Sequence, residues 1–482
     1  MPLHGVFSVI KVATTIPGNR MNSPQPPIKQ RISTELKALL ALSAPLIAAQ
    51  ISQSAMGFVD TVMSGRVSSL DLAAVAMGSS IWFPAFLFML GILMAVTPTV
   101  AQLAGAGKKA EIGAHVRQAL LLGFFLSLGV LLLLRNAQPL LALMDVDPQA
   151  RPLTLAYLEG VSWGMPAIAV FFTLRHFSEG LSCTKPSMVI GLIGLGFNVL
   201  ANYVLIYGKL GLPALGGAGC GWATALTMWL MCLCMLATVR QGKVYRSAQL
   251  FLRWPLPDKQ DLIKLLKLGL PIGCSLFIEA SIFAVIALLI GSLGADMVAA
   301  HQICLSFSSL VFMVPMSISS AISVRVGRAI GQQDFRLARL AGYTGIGLTA
   351  LISVFSASLT LLFPAAIASI YTTNSKVAAM ATGLLLLAAL FQFSDAVQVS
   401  TAGALRGYKD TRVPMAMLIV AYWLIGLPLG FSLGLTSFGP GPMGAAGFWI
   451  GLIAGLTAAA ILLSLRLRTV SSRYRWRPEE YP

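Results

Sequence analysis

Twelve apolar segments separated by short polar loops dominate the pattern of hydrophobic and polar positions along the chain. Each is about 18 to 28 residues long, enough for an α-helix to cross a hydrocarbon core about 30 Å thick. The alternating pattern of a membrane β-barrel is absent. The pattern therefore predicts an all-α membrane protein with twelve transmembrane helices at 38–63, 75–103, 114–136, 155–180, 187–207, 217–239, 264–290, 298–324, 338–363, 377–404, 412–434 and 444–467.

Composition supports the same class, because 57% of the residues are hydrophobic and only 11% are charged, against about 25% charged in soluble domains. A net charge of +17 would suit nucleic acid, but the bases are spread over the loops and form no single stripe. The six cysteines have neither zinc-site spacing nor a secreted disulfide framework. GAGKK at 105–109 lacks the spacing of a Walker motif. We expect no nucleic-acid partner, structural metal or cofactor.

Lysine and arginine are divided unevenly between the two sides of the predicted membrane. With the N-terminus inside, 29 of the 34 bases lie on the cytoplasmic side. The other five, on the outer side, are Arg66, Arg135, Arg151, Lys209 and Lys376. The positive-inside rule then predicts that both termini are cytoplasmic and that the basic loops contact anionic lipid. In the polar N-terminal tail, Met21 is a second candidate start.

The second half of the chain repeats the first at a shift of 226 or 227 residues. The matched pairs include Pro45 and Pro271, Gly105 and Gly331, and Gly180 and Gly407. Two parallel six-helix bundles related by an internal repeat are typical of transporters that work by alternating access. The predicted organisation is a cytoplasmic tail at 1–36, lobes at 37–239 and 264–468, an amphipathic cytoplasmic connector at 240–263 and a second tail at 469–482.

Three carboxylates lie deep within predicted spans, namely Asp60, Glu279 and Asp395. A bare charge there costs about 2.5–3.5 kcal/mol, so such a residue is a candidate functional group. Under the repeat, Asp60 falls on Ile286, Glu279 on Gln53 and Asp395 on Ile168. A structural device common to both lobes would be duplicated, so these acids indicate functions specific to each lobe. A carboxylate in apolar surroundings readily carries a proton, and a pair of carboxylates suits Na⁺.

Amides accompany the first of these acids. Asn198 and Asn202 are spaced i, i+4 and share one face of span five, which makes them candidate partners of Asp60. Amides within a membrane also serve as structural hydrogen-bonding groups between helices. Glu159 and Glu179 are predicted nearer the membrane interfaces and are weaker candidates.

Four motifs together resemble the multidrug and toxic compound extrusion (MATE) family, in its NorM-like branch. They are FVDTVMSG with Asp60, PIGCSLFIEA with Glu279, NVLANYVLIYGKLG in span five and SDAVQVSTAGALRGYKDT with Asp395. The resemblance covers nearly all of 35–468. It implies a V-shaped pair of lobes in the bacterial inner membrane. It also implies export of amphiphilic, often cationic, drugs in exchange for H⁺ or Na⁺, and we expect a monomer.

The resemblance also implies roles for individual residues. By motif position, the N-lobe cation site comprises Asp60, Asn198, Asn202 and Thr224, and the C-lobe site comprises Glu279 and Asp395. Gln53, the counterpart of Glu279, is an auxiliary candidate. Sodium-dependent relatives carry a tyrosine one turn before the acid of span ten, where this chain has Phe391. That missing oxygen favours H⁺ over Na⁺.

Two other functions remain open on the sequence alone. A lipid-linked oligosaccharide flippase of the same wider superfamily would place basic residues in the cleft, whereas few Lys or Arg lie within these spans. An intramembrane enzyme would need a nucleophile or metal ligands at one depth, and no such set is evident, HExxH included.

Overall fold

The computed structural model describes residues 27–143, 147–251, 257–436 and 442–476. In these ranges, eleven continuous spans and one bent helix pair are long and apolar enough to cross a membrane. The predicted all-α class with twelve spans is confirmed.

The helices of the first half form the N-lobe. They are α1 (Ile28–Gly65), α2 (Ser69–Leu93), α3 (Val96–Gly105), α4 (Lys109–Arg135), α5 (Gln138–Leu143), α6 (Ala150–Ser162), α7 (Met165–Gly180), α8 (Lys185–Tyr207), α9 (Gly217–Gln241) and α10 (Lys243–Arg246). Helices α2 and α3 together make one span, and α6 and α7 form the bent pair, with an angle of 44°.

The helices of the second half form the C-lobe. They are α11 (Lys259–Gly291), α12 (Ala295–Gly331), α13 (Phe335–Leu362), α14 (Pro364–Tyr371), α15 (Ser375–Gly407), α16 (Arg412–Ile419), α17 (Leu427–Leu435) and α18 (Ala445–Trp476). A π-helical segment, Val420–Gly426, joins α16 to α17 within one span.

The helices start earlier than the sequence pattern predicts. Helix α1 begins at Ile28, so 28–36 of the predicted tail are helical, and α11 begins at Lys259 inside the predicted connector. The physical reason is that helical backbone continues past the apolar run into polar residues at the membrane surface. Residues 1–26, the connector segment 252–256 and residues 477–482 lie outside the described ranges.

Polar caps fix the starts of several helices. The Ser68 hydroxyl accepts a hydrogen bond from the Asp71 N–H at 3.0 Å, and an Asp71 carboxylate oxygen accepts from the Gly217 N–H at 2.6 Å. Asn374 caps α15 by accepting from the Lys376 N–H at 3.0 Å. Such caps satisfy the donors that a helix start leaves free, and the Asp71 contact also joins α2 to α9.

Each lobe has its own buried apolar core. Each core includes a residue from the start of the other lobe's first helix. Leu39 of α1 packs in the core of the C-lobe, and Leu265 of α11 packs in the core of the N-lobe. These two leucines are 226 residues apart, the repeat shift. The exchange therefore follows the internal symmetry, and each lobe is completed by the first helix of the other.

The lobes meet at the end of the molecule that carries the start of α1 and the end of α12, which we call the inner end. Glycines permit this contact. A Cβ on Gly105 would lie 2.1 Å from the Arg328 carbonyl oxygen, and a Cβ on Gly331 would lie 2.0 Å from the Gln102 carbonyl oxygen. Both pairs obey the repeat, so the junction is quasi-symmetric.

Polar contacts also cross this junction. Arg325 of α12 donates two hydrogen bonds to the buried Glu35 carboxylate of α1, at 2.7 and 2.6 Å. Gln102 of α3 donates to the Gly407 carbonyl at 2.9 Å. A bidentate pair of this kind is both strong and geometrically specific, so it fixes α1 against α12.

Candidate functional site

Asp60 lies on α1 and is only 8% exposed. Its Oδ1 accepts hydrogen bonds from Asn202 Nδ2 at 2.6 Å and Asn198 Nδ2 at 3.2 Å, both on α8. Its Oδ2 accepts from Thr224 Oγ1 of α9 at 3.0 Å. The i, i+4 spacing of the amides brings both to the carboxylate, and the four residues expected in the N-lobe site lie together.

One oxygen of this N-lobe cluster has no partner. Asn202 donates to Asp60 and also to Asn198 Oδ1, at 3.2 Å, while its own Oδ1 is buried without a hydrogen bond. An unsatisfied buried acceptor next to a carboxylate suits a cation or a proton donor. The cluster thus has the oxygens to hold a cationic group.

Glu279 of α11 and Asp395 of α15 lie in the C-lobe, close enough for their charges to interact. Asp395 is 5% exposed. Among the described residues, neither carboxylate has a hydrogen-bond partner or a base within ion-pair distance, in contrast to Asp60 with its three donors, although the Arg406 guanidinium of α15 interacts electrostatically with Glu279. Asp395 is buried and Glu279 is partly buried, and the two acids together carry more negative charge than Arg406 offsets. Such a pair suits a cation, since uncompensated buried charge is costly.

A third polar group of the C-lobe site was missed by the sequence analysis. Tyr422 lies in the π-helical segment, is 2% exposed and has an electrostatic interaction with both Glu279 and Asp395. Its hydroxyl is buried without a hydrogen-bond partner. Single π-helical turns often occur at functional sites, but nothing in the local sequence indicates this one.

Phe391 lies one turn before Asp395 and contributes no oxygen. Its ring packs between Phe283, with centroids 6.0 Å apart, and Trp449, at 5.6 Å. Trp449 in turn donates to His301 Nδ1 at 3.2 Å. An aromatic cluster therefore occupies the place of the expected tyrosine ligand.

The hydrogen bond that Gln53 makes is to Arg175 and not to one of the three carboxylates. Gln53 Oε1 accepts from Arg175 of α7 at 3.1 Å, and Arg175 is paired with Glu179 at 2.7 Å. Glu179 was predicted near an interface, yet it is only 2% exposed. The sequence pattern misplaced it because its partner arginine lets the helix carry both charges inward. Glu159 pairs with Arg135 at 2.7 Å and is half exposed.

The sequence predicts few bases within the spans, yet two arginines, Arg175 and Arg406, are buried there. Arg175 is neutralised by Glu179 as described, and Arg406 of α15 is 9% exposed and donates to Ser319 Oγ at 2.7 Å. Glu35 is a further buried acid, at the inner end, that the sequence does not single out, because its partner Arg325 lies 290 residues away. Among the described residues, no group of three or more His, Cys, Asp or Glu side chains could hold a metal ion.

Comparison with known proteins decides the family. The MatE family model matches residues 45–204 and 271–432. The chain belongs to the MatE family. It is 50% identical over 457 residues to the multidrug resistance protein PmpM of Pseudomonas aeruginosa, covering 94% of this chain and 96% of that one. It is 47% identical to the multidrug resistance protein NorM of Aliivibrio fischeri, covering 91% and 95%.

MatE-family structures share the fold. The structure resembles the outward-facing conformation of a multidrug resistance MATE family transporter of the MOP superfamily, with a TM-score of 0.84 at 18% identity, covering 94% of this chain and 100% of that one. This likeness confirms the V-shaped two-lobe architecture. Members of the MatE family are transporters rather than enzymes, which excludes the intramembrane-enzyme hypothesis. The chain is a multi-pass membrane transporter of the drug-efflux type.

Proposed function

We propose that the protein is a secondary antiporter that exports amphiphilic, mostly cationic, drugs in exchange for an inward-moving cation. The observation that carries the proposal is the C-lobe pair, Glu279 and Asp395, which has no hydrogen-bond or ion-pair partner among the described residues. Two neighbouring carboxylates, one buried and one partly buried, bind a cation and release it when the site hydrates. Both termini lie in the cytoplasm, and the monomer transports.

The driving force is sufficient for such a cycle. One elementary charge moving through 100 mV releases about 2.3 kcal/mol. That free energy supports roughly a fiftyfold gradient of a neutral solute. One cation per cycle therefore suffices for useful export.

We take H⁺ as the coupling ion. A hard metal cation prefers several oxygen ligands, and Phe391 supplies none where sodium-dependent relatives are expected to have a tyrosine. A proton needs only one carboxylate oxygen. The Asp60 cluster, which has neutral donors and one free amide oxygen, takes a second ion or the cationic part of the drug.

Replacing Asp395 tests the proposal directly. In proteoliposomes, Asp395→Asn should lower ion-driven efflux of a fluorescent organic cation at least a hundredfold, because the neutral amide cannot exchange a cation. Asp296→Asn is the matched control, since Asp296 is exposed and only paired with Lys376 at 2.6 Å. Efflux by Asp395→Asn at the rate of the unmodified protein would exclude the role.

The ion is tested by imposing one gradient at a time. Efflux should follow a pH gradient in sodium-free buffer and should be absent with a Na⁺ gradient at symmetrical pH. Efflux driven by Na⁺ alone would reverse the assignment of the ion while leaving antiport intact. Efflux that needs no gradient would exclude antiport itself.

A further inference from the structure

A cavity of about 320 Å³ opens beside the lobe junction at the inner end. Arg325, Arg328, Ala329 and Gln332 of α12 and Leu337 of α13 line it. It is separate from the carboxylate sites, which lie farther along the spans. Two guanidinium groups line this one cavity.

The two arginines differ in how their charges are compensated. Arg325 is neutralised by the bidentate contact with Glu35. Arg328 has one long hydrogen bond, from Nη1 to Ser182 Oγ at 3.4 Å, although a guanidinium has five N–H donors. Among the described residues, no carboxylate lies within ion-pair distance of Arg328, and the neighbouring Arg325 charge repels it.

The remaining charged groups at the cavity do not remove this excess. Asp334 is committed to capping α13, where it accepts from the Leu337 N–H at 2.8 Å. The Asp334 charge is thereby offset against the positive end of this 28-residue helix, so the excess positive charge at the cavity rests on Arg328. Arg328 lies in the last turn of α12, where its positive charge interacts favourably with the negative end of the helix dipole. That interaction uses none of its N–H donors. A polar cavity with free donors and net positive charge is the chemistry of a phosphate site.

At the quasi-symmetric position, the neutral Gln102 corresponds to Arg328, and the base is instead on the other side of the contact. Ser182 and Lys409 correspond at the shift of 227, and both have left-handed backbone, with φ of 66° and 59°. Loss of hydration and the neighbouring Lys264 ammonium lower the pKa of Lys409 to about 8.

We propose that the cavity at Arg328 binds a phosphate monoanion, supplied by the head group of an anionic phospholipid. The inner end is where the basic loops lie, so this leaflet is the one whose anionic lipids they attract. Ser182 belongs to the N-lobe and Arg328 to the C-lobe. A phosphate bound by Arg328 in this cavity lies beside the contact between Arg328 and Ser182 and so stabilises the arrangement of the lobes seen here. The site is independent of which cation drives transport.

Lipid titration of the purified full-length protein tests the site. Phosphatidylglycerol added to detergent-solubilised protein should raise the thermal unfolding midpoint saturably, and phosphatidylcholine should not. Arg328→Gln should need at least tenfold more phosphatidylglycerol for the same shift. Arg240→Gln, which removes an exposed arginine at the end of α9, should respond like the unmodified protein.

Adding inorganic phosphate in place of lipid distinguishes a free phosphate ion from a lipid head group. Protection by inorganic phosphate that is lost in Arg328→Gln, without protection by lipid, would support the phosphate site and assign it to a free anion. Equal responses of Arg328→Gln and Arg240→Gln to phosphatidylglycerol, or no response of the unmodified protein to either ligand, would overturn the proposal. If Arg328→Gln does not fold, Arg328→Lys should give an intermediate response and Gln332→Leu a weakened one, and unchanged responses in both would overturn it.

Discussion

At the scale of single residues, the two lobes treat their buried acids in opposite ways. Asp60 is held by three donors from two helices, whereas Glu279 and Asp395 have none among the described residues. The sequence predicts which acids are deep, because they interrupt the repeat. It cannot predict Tyr422, since the π-helical turn that aims its ring depends on packing between distant helices.

Tyr422 gives a prediction that separates function from stability. Its hydroxyl has no partner, so Tyr422→Phe should leave the thermal unfolding midpoint unchanged or slightly raised. The same change should lower ion-driven efflux several-fold, because the hydroxyl is the third polar group at the paired acids.

Tyr157→Phe is the matched comparison for stability. The Tyr157 hydroxyl bonds with Ser79 at 3.2 Å and accepts from Trp82 at 3.1 Å, so its loss should cost about 1–3 kcal/mol in unfolding free energy. Destabilisation by Tyr422→Phe equal to that of Tyr157→Phe would contradict the view that the Tyr422 hydroxyl awaits a ligand.

Lys409 gives a pH dependence with a definite sign. Its pKa is about 8 in the folded protein, against an ordinary value of 10.5, so the unfolded chain binds more protons between these values. Stability should therefore rise as pH rises from about 8 to 10.5, with the full penalty present below 8. Charged neighbours are Lys264, which pairs with Asp261, and His115.

The measurement is the unfolding midpoint across pH 7 to 10.5. Lys409→Met should be more stable than the unmodified protein at pH 7, and the difference should shrink as pH rises. A difference that is constant across this range would show that Lys409 is not the titrating group.

At the scale of helices, the spans follow from the hydrophobic pattern, and their ends and breaks do not. The fourth predicted span is broken between α6 and α7 at Gly164, where a Cβ would lie 2.6 Å from Met228 Sδ of α9. That contact joins residues far apart in sequence, so periodicity within the span carries no sign of it. The repeated glycines, in contrast, are visible in the sequence, and the structure shows what they are for.

Gly331→Ala tests the close approach of the lobes. The new methyl group would collide with the Gln102 carbonyl at 2.0 Å, so α12 and α3 must separate. We expect a loss of about 1–3 kcal/mol in unfolding free energy, measured by chemical denaturation in detergent.

Gly347→Ala is the control for this prediction. Gly347 lies on α13 with open space around it, so alanine should be neutral or stabilise by up to about 1 kcal/mol through its better helix propensity. Equal effects of the two substitutions would indicate that the junction is not tightly packed.

At the scale of the whole molecule, two lobes with separate cores are joined at one end by exchanged helix ends. The internal repeat predicts the two lobes, and the positive-inside rule predicts their common orientation. Neither predicts that α1 completes the C-lobe, because the contact between Glu35 and Arg325 is neither local nor repeated. Under the shift, their counterparts are Asp261 and Thr99.

The ion pair between α1 and α12 should couple the lobes energetically. Glu35→Gln leaves a guanidinium with no carboxylate at its buried end, and Arg325→Gln leaves a buried acid, so each should destabilise the protein. In a double-mutant cycle, the coupling free energy should be about 0.5–3 kcal/mol in favour of the pair. A value of zero would indicate that the contact is dispensable.

The exchange of helix ends also determines the order in which the protein can be completed during synthesis. Glu35 and Arg325 are separated by 290 residues. At about 5–20 residues per second, the ribosome needs roughly 15–60 s to travel that distance. Throughout that interval, the inner end of the first helix waits in the membrane without its final neighbour. The N-lobe needs only the start of α11, which follows it directly in the chain, whereas the contact between α1 and α12 can form only after α12 has been translated. The junction between the lobes is therefore completed after the N-lobe core.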